Sequence, residues 1–142
     1  MDTLRITIKG EAPLSTNKTT SFNSKGRYYK NTKKDAFKEE IDLQCLKYSS
    51  EMEKFANSFN KKKEFLVINF DWKVPSRIFF NKDGSISCKK TDWDNTIKAL
   101  QDSVFDSIGI NDALIIDGSV SQRPTENEYL CDIHITRMVN DF

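Results

Sequence analysis

From Leu66 to Val74 every second residue is large and apolar: Leu66, Ile68, Phe70, Trp72 and Val74 alternate with Val67, Asn69, Asp71 and Lys73. A period of two puts all five bulky side chains on one side of an extended chain, the pattern of a strand with one buried face. Such a strand needs partners beside it and a layer above it. Partners with the same alternation stand at Leu4, Ile6 and Ile8, and at Tyr129, Cys131, Ile133 and Ile135, while LII at 114–116 opens another strand. A covering layer is predicted where the period changes. Phe37, Ile41, Cys45, Tyr48, Met52 and Phe55 recur at steps of three and four, which predicts a helix over roughly 34–57. Ile97, Leu100, Val104 and Ile108 mark a second helix, starting near Asp92 and ended by Gly109. On its polar side Lys98, Asp102 and Asp106 are expected together. NKDG at 81–84 reads as a turn between short strands at 76–80 and 85–89. Without a repeat or a domain break, residues 1–142 read as one α+β domain, long enough to bury a real core.

The net charge of +1 conceals two unlike halves. Residues 1–90 carry 19 Lys and Arg against 11 Asp and Glu, and residues 91–142 carry 3 against 10. The tract 17–34, read as a loop or loose hairpin, holds six basic residues and no acidic one. A basic half joined to an acidic cluster suits a polyanion-binding surface around a cation site, although charge blocks are also simply solvated surface. The N-terminal stretch alternates instead of carrying an apolar run, and the longest such run, FLVI at 65–68, is far too short for a bilayer; neither signal peptide nor membrane span is expected. Cys45, Cys88 and Cys131 are widely spaced, which predicts reduced thiols in a cytosolic protein. The one histidine, His134, falls on the polar face of the last strand and leaves no basis for a His-dependent triad.

The acidic half begins with KKTDWDNTIKALQDS at 89–103. Asp92, Asp94 and Asn95 are good helix-start residues, so a solvated helix terminus explains part of the pattern. DWDNT also matches the DxDxT of aspartate-nucleophile phosphatases, but that motif needs a hydrophobic strand before it and SISCKKT is too polar. A calcium-binding EF-hand loop needs a glycine where Ile97 stands. A divalent-metal site for phosphate chemistry remains. Magnesium takes oxygen ligands and keeps several waters, and a lysine beside it stabilises negative charge growing on a phosphate. Lys98, four residues after Asp94, stands one helical turn on and can face the same pocket.

The set Asp92-x-Asp94-Asn95-x-x-Lys98, an amphipathic helix, then Asn111-Asp112 before LII, resembles the RusA family of Holliday junction resolvases, carried by bacteria and their phages. Pro13-x-Ser15-x-Asn17 after the first strand, and the closing Ile133-His134-Ile135-Thr136, extend the likeness over nearly the whole chain. The resemblance implies a mixed β-sheet packed with two main helices, and an endonuclease that cuts four-way junctions by paired symmetric incisions. It implies catalytic Asp92, Asp94, Lys98 and Asp112, with the three aspartates holding Mg²⁺, or Mn²⁺ in its place. It further implies a homodimer on branched DNA in the cytoplasm of a bacterial or phage-infected cell. Lys18, Lys25, Arg27, Lys30, Lys33, Lys34, Arg77, Lys82, Lys89 and Lys90 are expected to hold the DNA backbone, with Tyr28, Tyr29, Phe79, Phe80 and Trp93 as nearby aromatics that either stack bases or pack the core. Two departures stand out: Asn111 replaces a frequent second Asp, and Gln122 and Arg123 stand where many members have a lysine near Pro124. Arg123 can still contact phosphate. The rivals are a nuclease for other branched or single-stranded DNA, and a catalytically silent DNA-binding protein of the same fold.

Overall fold

The computed structural model describes residues 2–15, 20–22, 28–30 and 32–142, with backbone alone at 20–22, 28–30 and 32. The alternating stretch is strand β4, Glu64–Pro75, and its apolar face is almost wholly buried, from Leu66 at 0% to Ile68 at 4% exposed. Strand β6 (Leu130–Val139) runs antiparallel between β4 and β1 (Thr3–Lys9), and β5 (Ile115–Thr125) lies parallel to β4 on its other side. The order β1-β6-β4-β5 makes a mixed sheet, as expected. The register aligns Ile6 with Ile133 and Ile133 with Phe70, so the alternations of separate strands merge into one apolar face.

Helices α1 (Thr32–Cys45), α2 (Ser49–Ser58) and α4 (Lys98–Ile108) cover that face. Phe37, Ile41, Met52, Phe55, Leu100, Val104 and Ile108 join the strand residues in a single core. The opposite face of the sheet is polar. Ser121 donates to Asp71 at 2.7 Å, Lys73 pairs with Asp71 at 3.1 Å, and Thr7 donates to Asp132 at 2.8 Å. Partial burial alone would raise the Asp71 carboxyl, but the Ser121 and Lys73 hydrogen bonds and the charges of Lys73 and Arg123 bring it below its usual value. The free edge of β1 is covered at Thr7 and Lys9 by side chains of α1 and the turn after it. Gln44 bonds both the N–H and the C=O of Lys9 at 2.8 Å, and the Tyr48 hydroxyl accepts from Thr7 N–H at 3.1 Å. An exposed strand edge invites pairing with another chain, and these groups are already satisfied.

Three local expectations need correction. The helix over 34–57 is two helices joined by a 3₁₀ turn, Leu46–Tyr48, where Tyr48 leaves helical geometry to reach β1. Residues 76–80 are not a strand: Ser76–Phe79 form a one-turn helix, α3, started by Pro75, and only a single bridge between Phe80 and Ile86 flanks the turn at Gly84. Asp92 and Asp94 precede α4 instead of opening it. Within the basic tract, β2 (Thr20–Phe22) and β3 (Tyr28–Lys30) pair antiparallel, in keeping with a hairpin.

Parallel strands need a long crossover, and here it runs from Pro75 through α3 and α4 to Ile115. All four candidate catalytic residues lie in it. Its return into β5 is tight: a Cβ at Gly118 would stand 2.1 Å from the Ile68 carbonyl oxygen, a backbone atom of the neighbouring strand. Gly118→Ala must push β5 off β4, at a cost of about 1–3 kcal/mol. Thermal melting should show a drop of several degrees, and an unchanged melting temperature would mean that the strand yields freely.

Candidate active site

The segment carrying Asp92 and Asp94 has no regular structure of its own before it, and side chains set its place. Thr91 Oγ1 donates to the Pro13 carbonyl at 3.5 Å. Gln122, on β5, donates through Nε2 to the Thr91 carbonyl at 3.0 Å and accepts from Lys90 Nζ at 2.6 Å. Asp92 is extended, and Trp93–Asn95 form one 3₁₀ turn closed by the Asn95 N–H on the Asp92 carbonyl at 3.0 Å. The Trp93 indole N–H reaches across to the Val120 carbonyl at 2.5 Å. Buried Thr96 donates to the Trp93 carbonyl at 2.9 Å and so keeps this turn separate from α4. The result leaves Asp92 and Asp94 exposed, and among the described residues neither carboxylate has a hydrogen bond or ion pair.

Lys98 opens α4 with its side chain 54% exposed, and its ammonium donates to Asp102 at 2.9 Å. That hydrogen bond is the main reason its pKa lies above the ordinary lysine value; slight burial opposes it, and the charges of Asp102 and Asp112 add to it. Lys98 is therefore a cation at any pH at which a nuclease works. Asp106, expected beside this pair, bonds across to Lys38 of α1 at 3.2 Å. Asp112 begins the 3₁₀ turn Asp112–Leu114, which the Asn111 side chain caps by accepting from Ala113 N–H at 2.9 Å. Gln101 Nε2 donates to Asp112 Oδ2 at 3.2 Å. Lys98, Asn111 and Asp112 line one cleft of about 570 Å³ between α1 and α4, which Lys34 and Lys38 also line. Asp92 and Asp94 are not among its walls.

Among the described residues no three His, Cys, Asp or Glu side chains gather closely enough to hold a metal. The donor chemistry nevertheless suits a hard divalent cation. Asp92 and Asp94 offer unpartnered carboxylate oxygens two residues apart, and Mg²⁺ is commonly held by one or two carboxylates with waters and substrate phosphate completing its shell. Of the softer ligands, Cys45 and Cys131 are buried, which raises their thiols, while Cys88 and His134 are exposed.

The expected DNA contacts fare unevenly. Lys18, Lys25 and Arg27 lie outside the described residues, and only the backbone of Lys30 is described, as are those of Tyr28 and Tyr29. Lys33 and Lys34 sit in the first turn of α1, with Lys34 on the cleft. Lys82, Lys89 and Arg123 are exposed, and Arg77 is exposed but paired with Glu128 at 3.1 Å. Lys90 is held by Gln122 and by the Phe79 ring, 5.7 Å from its centroid. Phe79 is core, whereas Phe80 and Trp93 remain 38% and 57% exposed. Hydrophobic patterning missed Gln101 and Lys38, and the resemblance noted Gln122 without its role; their bonds to Asp112, Asp106 and Thr91 join separate segments and leave no periodic trace.

Among the described residues no helix is long and apolar enough to cross a membrane. A search of the curated proteins found no match. The family model described as Endodeoxyribonuclease RusA matches residues 11–136, which take in the Asp92–Asp94 turn, α4, Asp112 and all strands of the main sheet except β1 and the end of β6 beyond Thr136. With the mixed sheet and its crossover already in view, this match over most of the length settles the affiliation: the chain belongs to the RusA family of endodeoxyribonucleases, whose activity is of the Holliday junction resolvase type.

Proposed function

We propose that this chain is a Mg²⁺-dependent endonuclease that resolves four-way DNA junctions by paired symmetric incisions, acting as a homodimer. The observation that supports it best is the Asp92–Asp94 turn: two exposed, unpartnered carboxylates on a turn tied to a sheet strand, six and four residues before a cationic lysine. Nucleases of this family generally depend on a divalent metal. In this reading Asp92 and Asp94 hold Mg²⁺, or Mn²⁺ in its place, and Asp112 supplies a third carboxylate when Gln101 releases it. A cation so held lowers the pKa of water and neutralises charge on the phosphate. Lys98 lies beside the scissile phosphate and offsets the negative charge that grows on it. A four-way junction has two-fold symmetry, so two matched cuts ask for two identical sites, as a homodimer provides. The setting is the cytoplasm of a bacterial or phage-infected cell.

The test is a synthetic four-way junction incubated with the protein, with and without Mg²⁺. Symmetric cuts in two strands only with the metal support the proposal. Equal cutting of forks, flaps or single strands favours a broader nuclease, and a gel shift without cleavage favours a silent binding protein. Binding should also fall steeply with salt, because Lys33, Lys34, Lys89, Arg123 and the basic tract release counterions on meeting phosphate. A protein making six to ten phosphate contacts loses about 10³–10⁵ in affinity between roughly 50 and 200 mM salt. A flat response would make the basic half ordinary solvated surface.

A further inference from the structure

Asp92 and Asp94 must present their oxygens in a fixed geometry, yet their turn lacks the usual means of fixing it. No side chain caps the 3₁₀ turn, and α4 begins only at Lys98. The turn is tied instead to β5 at two alternate residues, Val120 and Gln122. Val120 accepts the Trp93 indole N–H at 2.5 Å, just after Asp92. Gln122 bonds the Thr91 carbonyl at 3.0 Å and the Lys90 ammonium at 2.6 Å, just before it. The strand is a firm support, because β5 is paired with β4 along its length, with Val120 opposite Phe70 and Gln122 opposite Trp72.

Resting on the reading that these carboxylates hold the divalent cation, we propose that Gln122 is a positioning residue for them, with the Trp93 indole N–H as the second tie. The amide suits this place for a specific reason. Its oxygen accepts from the ammonium while its N–H₂ donates to a backbone carbonyl, so the amide makes both bonds at once from separate atoms. A glutamate keeps the first contact and sets a carboxylate oxygen against the Thr91 carbonyl. A methionine has similar length and makes neither bond. Groups that orient metal ligands typically change metal affinity by about 10–100-fold when removed.

The experiment measures Mn²⁺ binding by calorimetry without DNA, for the wild type, Gln122→Met, Gln122→Glu, Trp93→Phe and Asp94→Asn. Thermal melting and junction affinity in EDTA accompany each. Gln122→Met is expected to bind Mn²⁺ about tenfold more weakly. Trp93→Phe should follow in the same direction, and the junction affinity of Gln122→Met in EDTA should stay within about twofold. Should Gln122→Met fail to fold, Gln122→Glu and Trp93→Phe carry the same expectation, the latter removing the indole N–H together with part of the ring. Wild-type Mn²⁺ binding in every folded Gln122 and Trp93 variant, with binding lost in Asp94→Asn, would overturn the positioning role and leave the metal site standing. Wild-type binding in Asp94→Asn as well would remove the metal site itself, and the positioning role with it.

Discussion

Asp94→Asn should bring junction cleavage to the limit of detection while the protein still binds the junction, as tightly as the wild type or more so. The substitution keeps the size of the side chain and its place in the Trp93–Asn95 turn, which is closed by backbone and by Trp93 and Thr96 without help from the Asp94 carboxylate. Folding should therefore be nearly unaffected. What disappears is one of two unpartnered carboxylates and with it the charge that, in the proposed reading, holds a divalent cation. Losing several kcal/mol of charge stabilisation at the phosphate corresponds to a rate loss on the order of a thousandfold or more. Binding should move the other way, because in the proposed reading this anion faces the DNA backbone. The check is single-turnover cleavage beside a gel shift in EDTA. A variant that cuts at near wild-type rate would show that Asp94 holds no catalytic metal.

Lys98→Ala should cost a factor on the order of a hundred or more in cleavage rate and very little stability. The Lys98 side chain is more than half exposed, and its bond to Asp102 is an i,i+4 pair on a helix surface. Such pairs contribute only about 0.3–0.5 kcal/mol. If that pair were all Lys98 does, the variant would melt and cut like the wild type. Its place argues for more, since it opens the helix directly after the carboxylate turn and feels the charge of Asp112 as well as Asp102. Lys98→Arg should rescue poorly, because a planar guanidinium does not reproduce the compact point charge of an ammonium. Single-turnover rates at saturating Mg²⁺, set beside melting curves, separate the two roles.

What the sequence discloses and what it hides follow from the reach of each interaction. Period-two alternation found β1, β4 and β6 because burying one face of a strand dictates every second residue. Gly109, in the left-handed region at φ 80°, marked the end of α4 for an equally local reason. The break at Leu46–Tyr48 escaped notice because Cys45 and Met52 keep a helical phase across it; the sign was Ser49-Ser50, residue types that favour helix starts. The start of α4 was placed too early because Asp92 and Asp94 look like caps, whereas Thr96 and Trp93 hold them in a separate turn through contacts that include one 27 residues away. The candidate carboxylates and Lys98 were visible as types at a spacing. The ties that place them, Gln122 to Thr91 and Gln101 to Asp112, were not, because a half-buried amide pairing with a remote segment leaves no pattern.

Paired incision itself can be read from a supercoiled plasmid that extrudes a cruciform. A single nick releases the supercoiling and the cruciform is reabsorbed, so an enzyme that cuts one strand at a time leaves nicked circles. A homodimer with two matched sites cuts both strands before release and leaves linear DNA. With Mg²⁺ present the account predicts linear product whose two ends map symmetrically across the junction, and none in EDTA. Nicked circles alone, or linear product formed without a divalent cation, would contradict it.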